Sequence, residues 1–217
     1  MKIDDLAQFD FALAPEQIAQ HPPEERDGGR LMLLERKTGR IEHDRIRALP
    51  ALLRDGDLLV TNATRVLAAR LRGNKASGGS AEALLLGSAE IDGRYRALIR
   101  HSGRLRVGRK YRLGTPALDA ELLSFDANGI GVLAFEPGAD PYAAGETPLP
   151  PYIHRDAARE EDQTRYQTTF ARVPGSIAAP TAGLHLSDDL LAQLDRRGIE
   201  RAEVVLHVGL GTFRPLR

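Results

Sequence analysis

Two histidines, His185 and His207, stand 22 positions apart, each inside a nine-residue segment that also holds threonine and glycine. Ala178–Leu186 reads AAPTAGLHL and Leu206–Arg214 reads LHVGLGTFR. Imidazole is the side chain whose ordinary titration lies near neutral pH, and glycine lets backbone approach a ligand closely. Gly183 precedes His185 by two residues and Gly209 follows His207 by two. At the end of an apolar strand, His207 would point towards the carboxyl edge, where α/β folds place ligands. Acid/base work at a strand-to-loop junction is one reading. An imidazole that only hydrogen-bonds a nearby carbonyl is the other, and spacing alone leaves both open.

Several chemistries are excluded. The chain has no cysteine, so thiolate nucleophiles, disulfides and Cys-ligated zinc are absent. Two histidines without a third ligand do not make a metal site. Ser176, Thr181 and Ser187 lack a GxSxG context, which argues against an acyl-enzyme hydrolase. Gly73–Ser80, GNKASGGS, lacks the GxxxxGK[ST] order of a P-loop and reads as a mobile basic loop. The other histidines, His21, His43, His101 and His154, read as surface or structural groups.

Asn62-Ala63-Thr64-Arg65 follows an apolar run. An arginine beside short polar groups there could fork a carboxylate or phosphate, or anchor a turn. Formal net charge is zero, but the charges are segregated. From Thr64 to Arg112 twelve Lys or Arg stand against three acids, a net +9, so the remainder carries −9. Leu113 to His154 holds six acids and no Lys or Arg. Such segregation suits a polyanion-binding face; the bland alternative is arginines paired with acids brought from elsewhere in the fold. The acidic N-terminus has no signal-peptide pattern, and no window approaches eighteen apolar residues, so a soluble cytoplasmic protein is expected.

The elements that must position these groups follow from periodicity and turn residues. Phe9-Asp10-Phe11 reads as a short strand before a turn of helix with Pro15 first. Leu31–Glu35 and Ile41–Arg45 form a hairpin around Lys37–Arg40. Ile46, Leu49, Leu52 and Leu53 share a helical face, and Leu58-Leu59-Val60 is a buried strand. Short apolar runs from Val66 to Phe135, separated by turns such as Asp92-Gly93, Val107-Gly108 and Asn128-Gly129, predict a small antiparallel barrel. Pro148–Ile153 is a stiff link, and Asp156–Tyr166 is helix-permissive. Ser187 caps a helix whose buried face is Leu190, Leu191 and Leu194, with Gly198 just past its end. Ala202–His207 is a strand. The fold class expected is an α/β domain, 1–65 with 151–217, interrupted by an inserted antiparallel β-barrel domain, 66–150.

Six segments in this order resemble one family: Asp57–Leu71 (DLLVTNATRVLAARL), Lys75–Gly79 (KASGG), Pro148–Arg155 (PLPPYIHR), Tyr166-Gln167-Thr168, Pro174–Leu186 (PGSIAAPTAGLHL) and Leu206–Pro215 (LHVGLGTFRP). They are similar to the S-adenosylmethionine:tRNA ribosyltransferase-isomerases of queuosine biosynthesis, from Phe9 to the last residue. The resemblance implies an α/β domain interrupted by a barrel. It also implies transfer and isomerisation of the ribosyl group of S-adenosylmethionine onto 7-aminomethyl-7-deazaguanine at the tRNA wobble position, giving epoxyqueuosine and releasing adenine and methionine. On that reading His185 and His207 carry the acid/base steps. Thr181, Gly183, Gly209, Gly211, Thr212 and Arg214 shape the S-adenosylmethionine pocket. Asn62, Thr64, Arg65, Arg70, Lys75, Arg100, Arg104 and Arg106 face substrate or tRNA, with Arg65 and Arg214 available to a methionine carboxylate or an RNA phosphate. No metal is implied, and the family expectation is a monomer without membrane contact. Two departures stand out. Ala63 replaces a usual Asn or Asp, and the family continues for about half as much again beyond LHVGLGTFRP, with further cofactor-binding segments. The alternative is a tRNA- or RNA-binding relative, or an N-terminal fragment, without catalysis.

Overall fold

The computed structural model describes residues 6–87, 93–155 and 159–213. In chain order come a hairpin of β1 (Arg30–Leu34) and β2 (Ile41–Arg45), a short helix α1 (Leu49–Leu52), β3 (Leu58–Asn62) and β4 (Thr64–Val66). Six strands follow: β5 (Arg70–Lys75), β6 (Ser80–Leu85), β7 (Arg94–His101), β8 (Lys110–Leu113), β9 (Leu118–Phe125) and β10 (Ile130–Phe135). The last part holds α2 (Glu160–Arg165), β11 (Val173–Ser176), α3 (Asp188–Arg196) and β12 (Glu200–Val204).

Strands β5 to β10 close into an antiparallel barrel in the order β10-β7-β6-β5-β8-β9. Alternation explains its core: Leu71, Ala83, Leu85, Ala97, Tyr111, Leu113, Leu122 and Leu133 point inward and are buried. Alanine opposite leucine or tyrosine lets large and small side chains share a narrow interior. Gly73 is needed for closure, because a Cβ there would collide with the Arg112 carbonyl oxygen of β8.

Besides the β1–β2 hairpin, strands β3, β4, β11 and β12 pair in parallel across the barrel insertion. β3 pairs with β12 and β4 with β11. The partner changes at Ala63, whose N–H donates to Val204 O (2.9 Å) and whose carbonyl accepts from Arg172 N and Val173 N (both 3.0 Å). Ala63 is fully buried at this switch, so its methyl packs against protein. α3 covers one side. Ser187 Oγ accepts from Leu190 N (3.1 Å), and Leu190, Leu191 and Leu194 pack with Leu186, Ile199, Leu49, Leu53 and Leu59. Gly198 takes the left-handed conformation (φ +76°) that ends the helix. The architecture is thus an α/β portion interrupted by an antiparallel barrel.

Four sequence expectations are corrected. Phe9-Asp10-Phe11 forms no strand; Phe9 ends a 3-10 turn, and both rings are largely exposed, with no strand pairing to them among the described residues. Leu58 and Val60 are 54% and 56% exposed, because β3 has one partner strand and α3 covers only its Leu59 side. GNKASGGS is a hairpin rather than a loop: β5 runs through Lys75, β6 begins at Ser80, and Gly78 and Gly79 turn the chain with positive φ. The last strand stops at Val204, where the ladder with β3 runs out at Asn62. Asp92 of the expected turn at Asp92-Gly93, and residues 156–158 of Asp156–Tyr166, lie outside the described residues.

Candidate active site

His207 lies three residues past β12, yet its backbone is held as firmly as a strand. The Asn62 side-chain amide donates to Leu206 O (2.9 Å) and accepts from Leu206 N (3.0 Å), extending the β3–β12 ladder after its backbone pairing has ended. Val208 N donates to Ser176 Oγ (2.8 Å), and Ile177 N donates to Val208 O (3.0 Å). The imidazole closes the arrangement: Nδ1 lies 2.8 Å from Thr64 Oγ1, which lies 2.7 Å from Ser176 Oγ. Thr64 and Ser176 are fully buried, whereas His207 is exposed. Its ring is seated on Gly175, where an added Cβ would sit 2.5 to 2.7 Å from three ring atoms; Gly175 has φ +151°. The far ring nitrogen, Nε2, has no hydrogen-bond partner among the described residues and is free for a ligand.

His185 has a different setting. Thr181–His185 is a 3-10 turn, made possible where Gly183 packs against Thr168 and Phe170; a Cβ on it would lie 2.9 Å from each. The imidazole packs over Gly29 and lines a cleft of about 290 Å³ with Thr181, His21, Arg26, Tyr152 and Tyr166. Arg26 is already committed, donating to the carbonyls of Gln167 and Thr164 (2.8 Å each) and Leu184 (3.3 Å). Burial, then the neighbouring Arg165, lowers the Arg26 pKa, and burial pushes the Tyr166 phenol up to about 12. His207 is not among the residues lining this cleft.

The glycine-rich segment after His207 is open. Among the described residues a Cβ on Gly209 or Gly211 would meet nothing within 4 Å, so their lack of a side chain answers no packing demand there. Thr212 is exposed in the 3-10 turn Leu210–Phe213, and Leu210 packs onto the barrel core. Arg214 lies outside the described residues.

A second groove, about 360 Å³, runs between the outer face of β5–β7 and the Pro148–His154 link. It is lined by Arg70, Arg72, Glu82, Arg100 and Leu210 among others. Here both readings of the basic run have substance. Arg70 pairs with Glu82 (2.6 Å), and Arg72 pairs with Glu146 (2.6 Å), whose carboxyl burial raises in pKa against the pull of both arginines. Arg100, Arg104 and Arg106 are exposed and form no ion pair among the described residues. Lys75 Nζ donates to Ser102 O (3.0 Å) and Oγ (3.1 Å), and exposed Arg65 reaches the Ala171 carbonyl at 3.5 Å. Of the Asn62-Thr64-Arg65 trio, the first two are spent on positioning Leu206 and His207.

Sequence reasoning passed over Gly175 and weighed Ser176 only as a nucleophile. It also passed over the Arg155–Asp162 ion pair (3.1 Å), almost fully buried beneath the link. The signal for the first two was their place in PGSIAAPTAGLHL. Among the described residues no group of three or more His, Asp or Glu could hold a metal, and no helix is long and apolar enough to cross a membrane.

Comparison with known proteins agrees with the resemblance. A family model described as queuosine biosynthesis protein matches residues 6–217. The S-adenosylmethionine:tRNA ribosyltransferase-isomerase of Thermotoga maritima is 44% identical over 98% of this chain and 62% of its own length. Those of Pelobacter propionicus and Desulfitobacterium hafniense are each 45% identical, over 98% and 100% of this chain and 63% of theirs. A crystal structure of S-adenosylmethionine tRNA ribosyltransferase from Thermotoga maritima aligns at 33% identity and a TM-score of 0.39, covering 94% of this chain and 59% of that one. The chain therefore spans somewhat under two thirds of the curated relatives it matches.

Proposed function

The chain belongs to the queuosine biosynthesis protein family, and on that premise we propose that it is the part of a tRNA ribosyltransferase-isomerase that carries the acid/base histidines and the RNA-facing barrel. The reaction is transfer and isomerisation of the S-adenosylmethionine ribosyl group onto 7-aminomethyl-7-deazaguanine at the tRNA wobble position, with loss of adenine and methionine. It needs a base near the carbon beside the sulfonium and a donor for the departing purine. The observation that carries this reading is His207: an imidazole oriented by buried hydroxyls on one edge and open on the other, beside two glycines with free space. His185 supplies a second imidazole over its own cleft. The pocket for S-adenosylmethionine combines Thr181, Gly183, Gly209, Gly211 and Thr212, and residues beyond those described, Arg214 included, complete it. Residues 66–150 act as the tRNA-facing domain, with Arg100, Arg104 and Arg106 contacting phosphates and giving affinity without sequence information. Residues 1–65 and 151–217 form the catalytic one.

Adenine release from S-adenosylmethionine, in the presence of tRNA bearing the deazaguanine precursor, tests the activity. H185A and H207A are each expected to lower turnover by about a hundredfold or more, the range of a lost acid/base group; normal turnover in both removes the assignment. Steep loss of tRNA binding with salt, with a shallower slope in an R104A/R106A variant, is expected of phosphate contacts. The length of the relatives favours one further reading, a chain that binds tRNA without turnover. Salt-dependent binding together with no adenine release at any protein concentration would support it.

A further inference from the structure

The proton count around His207 goes further than its position. Ser176 Oγ accepts the Val208 N–H, and the one acceptor within hydrogen-bond distance of its own proton among the described residues is Thr64 Oγ1. Thr64 Oγ1 in turn has two neighbours, Ser176 Oγ and His207 Nδ1. Each hydroxyl carries one proton. If Ser176 donates to Thr64, Thr64 donates to Nδ1 and every proton is used. In the reverse order His207 Nδ1–H donates to Thr64 and Thr64 to Ser176. The Ser176 proton is then left without an acceptor at a fully buried site, an arrangement that folded proteins avoid.

We infer that the Ser176–Thr64 pair holds His207 as its Nε2–H tautomer, so that the outward nitrogen donates a hydrogen bond to an acceptor atom of the ligand. Gly175 fixes the ring plane and the hydroxyl chain fixes which nitrogen bears the proton; Thr64 and Ser176 are positioning residues. The ligand group that such a donor recognises is an acceptor such as a purine ring nitrogen. In the proposed reaction, on which this last step rests, that group is the departing purine. Proton abstraction from the ribose is then left to another group, and His185 is the other imidazole of the site.

Long-range ¹H–¹⁵N correlation on the histidine-labelled protein at about pH 8 reads the tautomer directly, with His207 assigned by its absence in H207Q. The expected spectrum is Nε2–H over Nδ1–H by about tenfold or more, the scale of one unsatisfied buried hydroxyl. An Nδ1–H pattern or an even mixture overturns the inference. T64S keeps the hydroxyl and should keep the ratio. T64A admits a water that either donates or accepts, and should lower the ratio at least about threefold; an unchanged ratio in T64A overturns the lock. Should T64A not fold, the wild-type and T64S spectra decide alone. Failure of the functional reading shows elsewhere: if H207A releases adenine normally while the tautomer is held, the ligand-facing role falls and the lock stands.

Discussion

The barrel and the parallel-paired portion of this protein solve the same problem in opposite ways. In the barrel, six strands close on one another, so that no edge is left and the alternating inward residues find partners on the facing strands. In the other portion, two pairs of parallel strands are joined at Ala63. α3 covers one face, while Leu58, Val60, Val205 and Leu206 lie open on the rest. Core burial is concentrated in the first region and the candidate site lies in the second. The difference teaches where each kind of precision comes from. The barrel obtains its geometry from packing, and the site obtains its geometry from side-chain hydrogen bonds, with Asn62, Thr64 and Ser176 doing what a wider sheet would otherwise do.

Substitutions can break this contrast or sharpen it. L133A, in the closed core, should destabilise the protein by about 2–5 kcal/mol in urea unfolding; a loss below about 1 kcal/mol would mean the barrel core is not the main stabilising mass. G175A should cost about 1–3 kcal/mol through its positive φ and should displace the His207 ring, so it lowers turnover more than its stability loss explains. Retained His207 chemical shifts in G175A would contradict the seating. A smaller effect is expected at Glu146, whose carboxyl is raised by burial in the face of Arg72 and Arg70. A carboxyl raised on folding binds its proton more readily in the folded chain than in the unfolded one. Stability therefore falls as pH rises from the ordinary carboxylate value through the folded one, and stays lower above it. E146Q should flatten that decline in unfolding midpoints taken across the acid range; an unchanged slope assigns it to other groups. V60T, on the open face of β3, should change stability by no more than about 0.5 kcal/mol.

The barrel was the more legible region. Its signals are local, alternation and glycine turns, and they place six strands because each strand pairs with a neighbour of similar pattern. The capped helix Asp188–Arg196 was legible for the same reason: Ser187 at its start, the leucine face and Gly198 just past its end all lie in one short stretch of sequence. Burial of Leu58 and Val60 was misread because an apolar run does not say how many faces the fold covers. The strand expected at Phe9–Phe11 failed on pairing, which no local pattern encodes. At the candidate site, His185 and His207 were picked out by type and by glycine spacing. That His185 alone of the two lines the cleft beside Arg26 and Tyr166 was not visible, since it depends on where the 3-10 turn Thr181–His185 packs against the segment around Gly29. Nor was the Thr64–Ser176 pair, which joins residues 112 positions apart.

The Asn62 clamp on Leu206 also bears on motion. A backbone segment past the end of a ladder ordinarily frays and exchanges its amide protons quickly. Here the Leu206 and Val208 amides are both donated to side chains of the neighbouring strands. Their exchange should track that of β12 itself, and N62A should release both together. The loop bearing the imidazole then opens only when the parallel strands open, which makes it part of the cooperative unit of the sheet rather than a lid.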